Sequence, residues 1–142
     1  MRFKNFLKSK YEGLDVLVNN AAIAFKNAAP EPFSEQATIT MRTNFFNTYR
    51  FCNIIFPILK PHARVVNVSS SAGHLLKIPG DHDVAVALRK KLSSSDLTGE
   101  ELVKMIEGFV KYVLVNTKFE MVVSFITNKF LLVLLKQAIT RN

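Results

Sequence analysis

Glycine is scarce and scattered: Gly13, Gly73, Gly80, Gly99 and Gly108 are the five in 142 residues, and they form no cluster. No glycine-rich turn of the phosphate-cradling kind can be built from them. Cysteine is rarer still. Cys52 stands alone, which excludes an internal disulfide and fits a reducing compartment. His62, His74 and His82 have no cysteine or carboxylate partners at metal-ligand spacing, so no metal site is expected. Long apolar runs are short of what a membrane needs, because the fifteen residues Met121 to Leu135 are interrupted by Asn128 and Lys129, and a spanning helix takes roughly twenty. The charged stretch Met1 to Tyr11 is no secretory signal. Acidic residues number 11 against 19 basic ones, for a formal charge of +8, with clusters at Arg2, Lys4, Lys8 and Lys10 and at Arg89, Lys90 and Lys91. No finger, helix-turn-helix or aromatic RNA-binding pattern accompanies them, so no nucleic-acid partner is expected; the charge is read as solvated surface or attraction for a phosphate-rich molecule.

What is present is an alternation of strands and helices. Leu14-Asp15-Val16-Leu17-Val18 reads as a strand buried on both faces of a parallel sheet, closed by Asn19, Asn20, Ala21 and Ala22. Amides both donate and accept, so they can tie one strand end to its neighbour, while small alanines let a flat ligand approach the backbone. That is where open α/β sheets bind their ligands, although Asn-Asn-Ala-Ala is equally a plain turn. Thr38 to Pro57 has apolar residues at spacings of three and four and reads as a helix. Asn44 lies inside it, and an interior helical Asn competes for backbone hydrogen bonds, which asks for a functional reason. Cys52, on the same helix, reads as a buried small hydrophobe. A second strand, Arg64 to Val68, ends in Ser69, Ser70, Ser71, Ala72 and Gly73. Thr98 and Glu101 form a capping-box pattern ahead of a helix whose apolar face is Leu102, Met105 or Ile106, Phe109 and Val113.

The ordered set of Asn-Asn-Ala strand end, helical Thr-Asn and Asn-Val-Ser-Ser-x-x-Gly strand end resembles the short-chain dehydrogenase/reductases. Gly13 to Phe25, the Pro30 to Phe33 turn, Thr43 to Thr48 and Lys60 to Ser70 are similar to the NADPH-dependent carbonyl reductases within that family. The resemblance is close from about Phe3 to Ser70, persists at Thr98 to Val110, and stops there. It implies an α/β fold: a partial Rossmann-type, doubly wound parallel sheet lacking its first strands and glycine-rich turn, with a divergent helical C-terminal tail. Residues 1–110 would form the partial domain and 111–142 the apolar tail.

The implied chemistry is hydride transfer from NADPH to a ketone or aldehyde. By resemblance Ser70 hydrogen-bonds the substrate oxygen, and Asn44 steadies a catalytic lysine through a water. Asn20 and Ala21 border the cofactor, and Phe25, Lys26 and Gln36 lie at the substrate mouth. Besides the glycine-rich turn, a second requirement of the family is unmet. It needs Tyr-x-x-x-Lys, but the residues four positions after Tyr11, Tyr49 and Tyr112 are Asp15, Asn53 and Asn116, and Lys118 lies six after Tyr112. Activity of this chain is therefore expected to be impaired. The alternative is a non-enzymatic fragment, or a piece that docks on a complete reductase through an unpaired sheet edge. The partner expected is a small carbonyl compound and the location cytoplasmic; for the tail, a membrane contact is the lesser alternative to a buried helix.

Overall fold

The computed structural model describes residues 2–26, 28–69 and 83–115, with the side chains of 84, 109 and 112–115 excepted. Helix α1 (Arg2–Tyr11) leads into strand β1 (Leu14–Asn19). A long helix follows in three parts: α2 (Phe33–Met41), a π-helical turn (Arg42–Asn47) and α3 (Thr48–Ile55). A short 3-10 turn (Phe56–Ile58) opens strand β2 (Leu59–Asn67), and α4 (Asp83–Ser93) and α5 (Gly99–Val115) complete the described part.

The turn between α1 and β1 depends on backbone freedom. Glu12 is left-handed (φ 63°), and its N–H donates to the Lys8 carbonyl at 3.1 Å. Gly13 follows at φ 146°, where a Cβ would stand 2.6 Å from the Ile58 carbonyl oxygen. Only glycine combines that conformation with that approach.

β1 and β2 pair in parallel, with Val16 opposite Arg64, Leu17 opposite Val65, Val18 opposite Val66 and Asn19 opposite Asn67. The register breaks between Leu14 and Val16, since Leu14 faces Leu59. The extra length on β2 includes Pro61, which lacks an N–H, and the left-handed His62 (φ 64°).

Side chains alternate across this pair. Leu17, Asn19, Val65 and Asn67 share the face on which α2 and α3 lie. There Leu17 joins Leu7, Met41, Phe45, Cys52 and Ile55 in one core that extends to Leu92, Leu102 and Ile106. Val16, Val18, Arg64, Val66 and Val68 share the other face. The valines there are 46–54% exposed. The expectation of a strand buried on both faces is thus corrected: β1 is covered on one face among the described residues. Leu7, Met41, Phe45 and Ile106 draw their helices into the core on Leu17's side, leaving the valines uncovered.

The long helix begins at Phe33, five residues before the expected start, with Pro32 as its N-cap residue. Its core positions Ala37, Met41, Phe45 and Tyr49 recur at steps of four, more than the about 3.6 residues of an α-turn. A π turn takes in an extra residue and returns the later positions to the core face. α4 carries Arg89, Lys90 and Lys91 but buries Ala85 and Leu92 on either side of them. α5 begins with the expected capping box: the Thr98 N–H and hydroxyl both donate to Glu101 Oε2 at 3.0 Å, and the Glu101 N–H donates to Thr98 Oγ1 at 3.2 Å. These bonds, the backbone one foremost, hold the Glu101 carboxyl below its ordinary range. Leu102 and Ile106 are fully buried as expected, and α5 packs against α2. The side chains of Phe109 and Val113 lie outside the described set. No described helix is long and apolar enough to cross a membrane.

Candidate functional site

The carboxyl ends of β1 and β2 are joined by an amide pair. Asn19 Nδ2 donates to Asn67 Oδ1 at 2.8 Å, and the Val68 N–H donates to the Asn19 carbonyl at 3.0 Å, extending the ladder one step. The tie expected between neighbouring strand ends is therefore present. The thiol of Cys52 reaches the same amide from α3, with Sγ 3.5 Å from Asn19 Nδ2 and 3.7 Å from Asn19 Oδ1. Two strands and a helix thus meet on one side chain. Because Nδ2 and Oδ1 sit at least partly away from water, each lost partner would leave a desolvated polar atom.

Burial pushes the Cys52 thiol up from 9.0 to about 11, against the opposing pull of the Asn19 hydrogen bond. The sign follows from linkage. A thiol held protonated in the folded chain leaves stability intact below its unfolded value, and stability falls as pH rises from about 9 to about 11. At pH 8 a disulfide reagent is therefore expected to leave folded Cys52 unlabelled and to react fully once denaturant is added; fast labelling without denaturant would contradict the buried placement.

Beyond Asn19 the chain runs exposed through Asn20, Ala21 and Ala22 and is then caught from the helix. The Ile23 N–H donates to Asn44 Oδ1 at 2.9 Å, and Asn44 Nδ2 donates back to the Ile23 carbonyl at 2.8 Å. Asn44 lies in the π turn, whose widened spiral turns its side chain toward the strand end while Phe45 stays in the core. Both polar atoms of the Asn44 side chain are engaged by one peptide unit. The segment carrying Asn20 and Ala21 is consequently held at both ends, by the Asn19–Asn67 pair and by the Asn44–Ile23 pair.

The remaining expected residues are more dispersed. Phe25 is half-buried, Lys26 is exposed, and the Lys26 carbonyl accepts from the Ala29 N–H at 3.0 Å. Gln36, half-buried near the start of α2, donates through Nε2 to the Glu31 carbonyl at 2.8 Å, bracing the turn into the helix. Ser70 lies outside the described residues. Sequence reasoning did not find Asn67, Cys52 or Ile23 as parts of the arrangement. Asn67 had a signal, since it ends a strand as Asn19 does; Ile23 had none, because its backbone alone takes part.

A parallel strand pair with helices packed on one face, an asparagine in a π turn bracing the strand end, and amides at the strand tips define an α/β chain of the dehydrogenase type. The chain belongs to the short chain dehydrogenase family, whose model matches residues 2–80. It is 46% identical over 108 residues to carbonyl reductase [NADPH] 1 of Homo sapiens, covering 76% of this chain and 38% of the relative. It is 47% identical over 110 residues to carbonyl reductase [NADPH] 1 of Bos taurus, with the same coverage of 76% and 38%, and 44% identical over 108 residues to carbonyl reductase [NADPH] 3 of Homo sapiens. The match thus spans little more than a third of the length of these relatives. In fold, the chain is similar to salutaridine reductase from Papaver somniferum, with a TM-score of 0.71 over 99% of this chain and 59% of the other, at 19% identity.

Proposed function

We propose that this chain is a carbonyl reductase-like oxidoreductase segment whose residues line a site for NADPH and a small ketone or aldehyde, and that its catalysis alone is impaired. The observation that carries the reading is the reciprocal Asn44–Ile23 pair, which fixes the exposed Asn20–Ala21 strand end beside the helix. The names of the relatives supply the nucleotide and the substrate class.

The residues present fit part of that cofactor. Ala21 has no side chain beyond Cβ and Asn20 offers an amide, so a flat ring can lie against exposed backbone there. When bound, the nicotinamide supplies the hydride. Ser70 would donate to the carbonyl oxygen of the substrate and stabilise charge developing on it. Asn44 would hold the strand end in place, and Phe25, Lys26 and Gln36 would border the substrate. Two parts of the family's machinery have no counterpart in these 142 residues: the glycine-rich turn that admits a pyrophosphate, and the Tyr-x-x-x-Lys pair that supplies the proton. In this reading residues 1–110 are the dehydrogenase part and 111–142 a divergent tail, and the protein works in the cytoplasm.

Reduced-nicotinamide fluorescence during NADPH titration tests this against a complete carbonyl reductase. The chain alone is expected to bind saturably but about a hundredfold more weakly than the complete enzyme, a deficit of roughly 2.7 kcal/mol. Ala21→Trp is expected to abolish that binding by filling the strand end. Affinity equal to the complete enzyme would overturn the impairment, and binding indifferent to Ala21→Trp would overturn the site.

A second reading is favoured by the open edge of β1, which has no strand beyond it among the described residues. Its one charged side chain, Asp15, is 3.1 Å from Lys60, so little guards that edge against a further strand. In this reading the chain is a non-enzymatic piece that pairs through β1 with a complete reductase.

A further inference from the structure

The pairing of β1 with β2 is loose at its start. Between the Leu14–Leu59 and Val16–Arg64 pairs β2 takes three more residues than β1, and the left-handed His62 lies in that excess. The start of the ladder therefore holds slack and does not set how far β2 slides along β1. The side-chain pattern sets it only in part. A slip of one residue would exchange the two faces of β2, carrying the half-buried Val65 off the covered face where Leu17 is buried. A slip of two residues keeps every side chain on its own face, so apolar burial barely opposes it.

What opposes it is a polar pair on the covered face. Asn19 Nδ2 donates to Asn67 Oδ1 at 2.8 Å, both side chains are half-buried, and Cys52 Sγ stands 3.5 Å from Nδ2 and 3.7 Å from Oδ1 of Asn19. With β2 slid two residues one way, Asn19 faces Val65; slid the other way, Asn67 faces Leu17. Either way a half-buried amide exchanges its amide partner for an apolar side chain. A buried polar residue among apolar ones fixes the register of coiled coils by the same penalty.

The pair also stands where register has the largest consequence. In the proposed site Asn20 and Ala21 border the nucleotide and Ser70 meets the substrate oxygen; Asn20 follows Asn19 directly, and Ser70 lies three residues after Asn67. A two-residue slip would carry the serine end of β2 about 7 Å along the sheet, more than twice the length of a hydrogen bond. We infer that Asn67 is a positioning residue: its amide, paired with Asn19, locks the two strands in one register and holds the serine end of β2 level with the Asn20–Ala21 end of β1. The consequence for a ligand rests on the proposed function, whereas the lock itself rests on the pair.

The test separates register from stability. Asn67→Leu strands the Asn19 amide, but Asn19→Leu combined with Asn67→Leu removes both polar groups, so the double variant is expected to regain in urea unfolding most of what the single one loses. Folded but unlocked, it is expected to show a second set of cross-strand nuclear Overhauser contacts, joining Val18 to Arg64 or Val68 beside the native contact with Val66. The Val68 N–H, whose acceptor is the Asn19 carbonyl, is expected to exchange about tenfold faster than in the native chain. Asn67→Ser, whose hydroxyl is too short to replace the amide, is expected to loosen the register in the same way. NADPH is expected to move the Ser69 amide resonance in the native chain and to move it far less in the double variant. A folded double variant with the native contacts alone would overturn the lock, and equal movement of Ser69 in both proteins would overturn its positioning role. Failure of both the double variant and Asn67→Ser to fold would overturn it too, since the pair would then serve the fold as a whole. A native chain that binds no NADPH, beside a double variant with displaced contacts, would remove the cofactor reading and leave the lock standing.

Discussion

Phe45→Ala is expected to remove about 3–5 kcal/mol of folding stability, enough to unfold much of the population of a domain whose total is about 5–15 kcal/mol. Phe45 is fully buried. Its ring meets Phe46 edge-on at 5.0 Å and stacks with Tyr49 at 6.3 Å with an interplanar angle of 2°. Such aromatic pairs add about 0.5–1.5 kcal/mol beyond area burial, so truncation loses contacts as well as apolar surface. Phe45 also lies inside the π turn, where the helix is least regular and depends most on side-chain packing. Phe45→Leu retains most of the volume and is expected to cost about 1–2 kcal/mol. Urea unfolding monitored by circular dichroism separates the two. Equal and small losses for both variants would show that the π turn is held by its backbone alone and that the core is not centred there.

Local chemistry was legible in the sequence wherever it repeats along the chain. The apolar run ending in amides marked β1, Thr98 and Glu101 marked the start of α5, and the neighbours of Cys52 marked it as buried. The spacing of Ile39, Phe45 or Phe46, Tyr49, Cys52 and Phe56 marked a helix but not its π turn, because steps of three and four fit an unbroken α-helix equally well. The start at Phe33 was hidden because Pro30 to Phe33 read as a turn, although Pro32, Ser34 and Glu35 also suit the start of a helix. α4 was masked by Arg89, Lys90 and Lys91, whose charge reads as solvated surface although Ala85 and Leu92 on either side of them are buried. The uncovered valine face could not be read at all. Val16 and Val18 carry the signature of a strand buried on both sides, and which side is covered depends on where the helices pack. Within the candidate site, Asn44 was legible as out of place in a helix. Its partner was not, since a backbone unit 21 residues away leaves no mark in side-chain pattern.

Substitution of Asn44 tests that partnership directly. Asn44→Ala removes both hydrogen bonds to Ile23, and at ~1 kcal/mol net for each the expected loss is about 2 kcal/mol, moderated because water can reach the freed peptide. The local effect is larger than the global one. The Ile23 amide proton is expected to change from protected to freely exchanging while amides in α5 keep most of their protection. Asn44→Asp makes a sharper demand, because it keeps the shape and one acceptor but turns an oxygen toward the Ile23 carbonyl where Nδ2 had donated. An ionised carboxylate there is disfavoured, so its pKa in the folded chain rises above the unfolded value of about 3.9. For a group raised in this way the penalty is absent below the unfolded pKa and grows as pH climbs through the folded one. Asn44→Asp is therefore expected to lie well below the native chain in stability at pH 7 and to approach it toward about pH 3–4, where a protonated carboxyl can donate to Ile23 again; Asn44→Ala, with nothing to titrate, should keep a constant deficit. Parallel pH curves for the two variants would mean that Asn44 fills space beside the strand end without clamping it, and the fixed strand end that supports the proposed cofactor site would lose its physical basis.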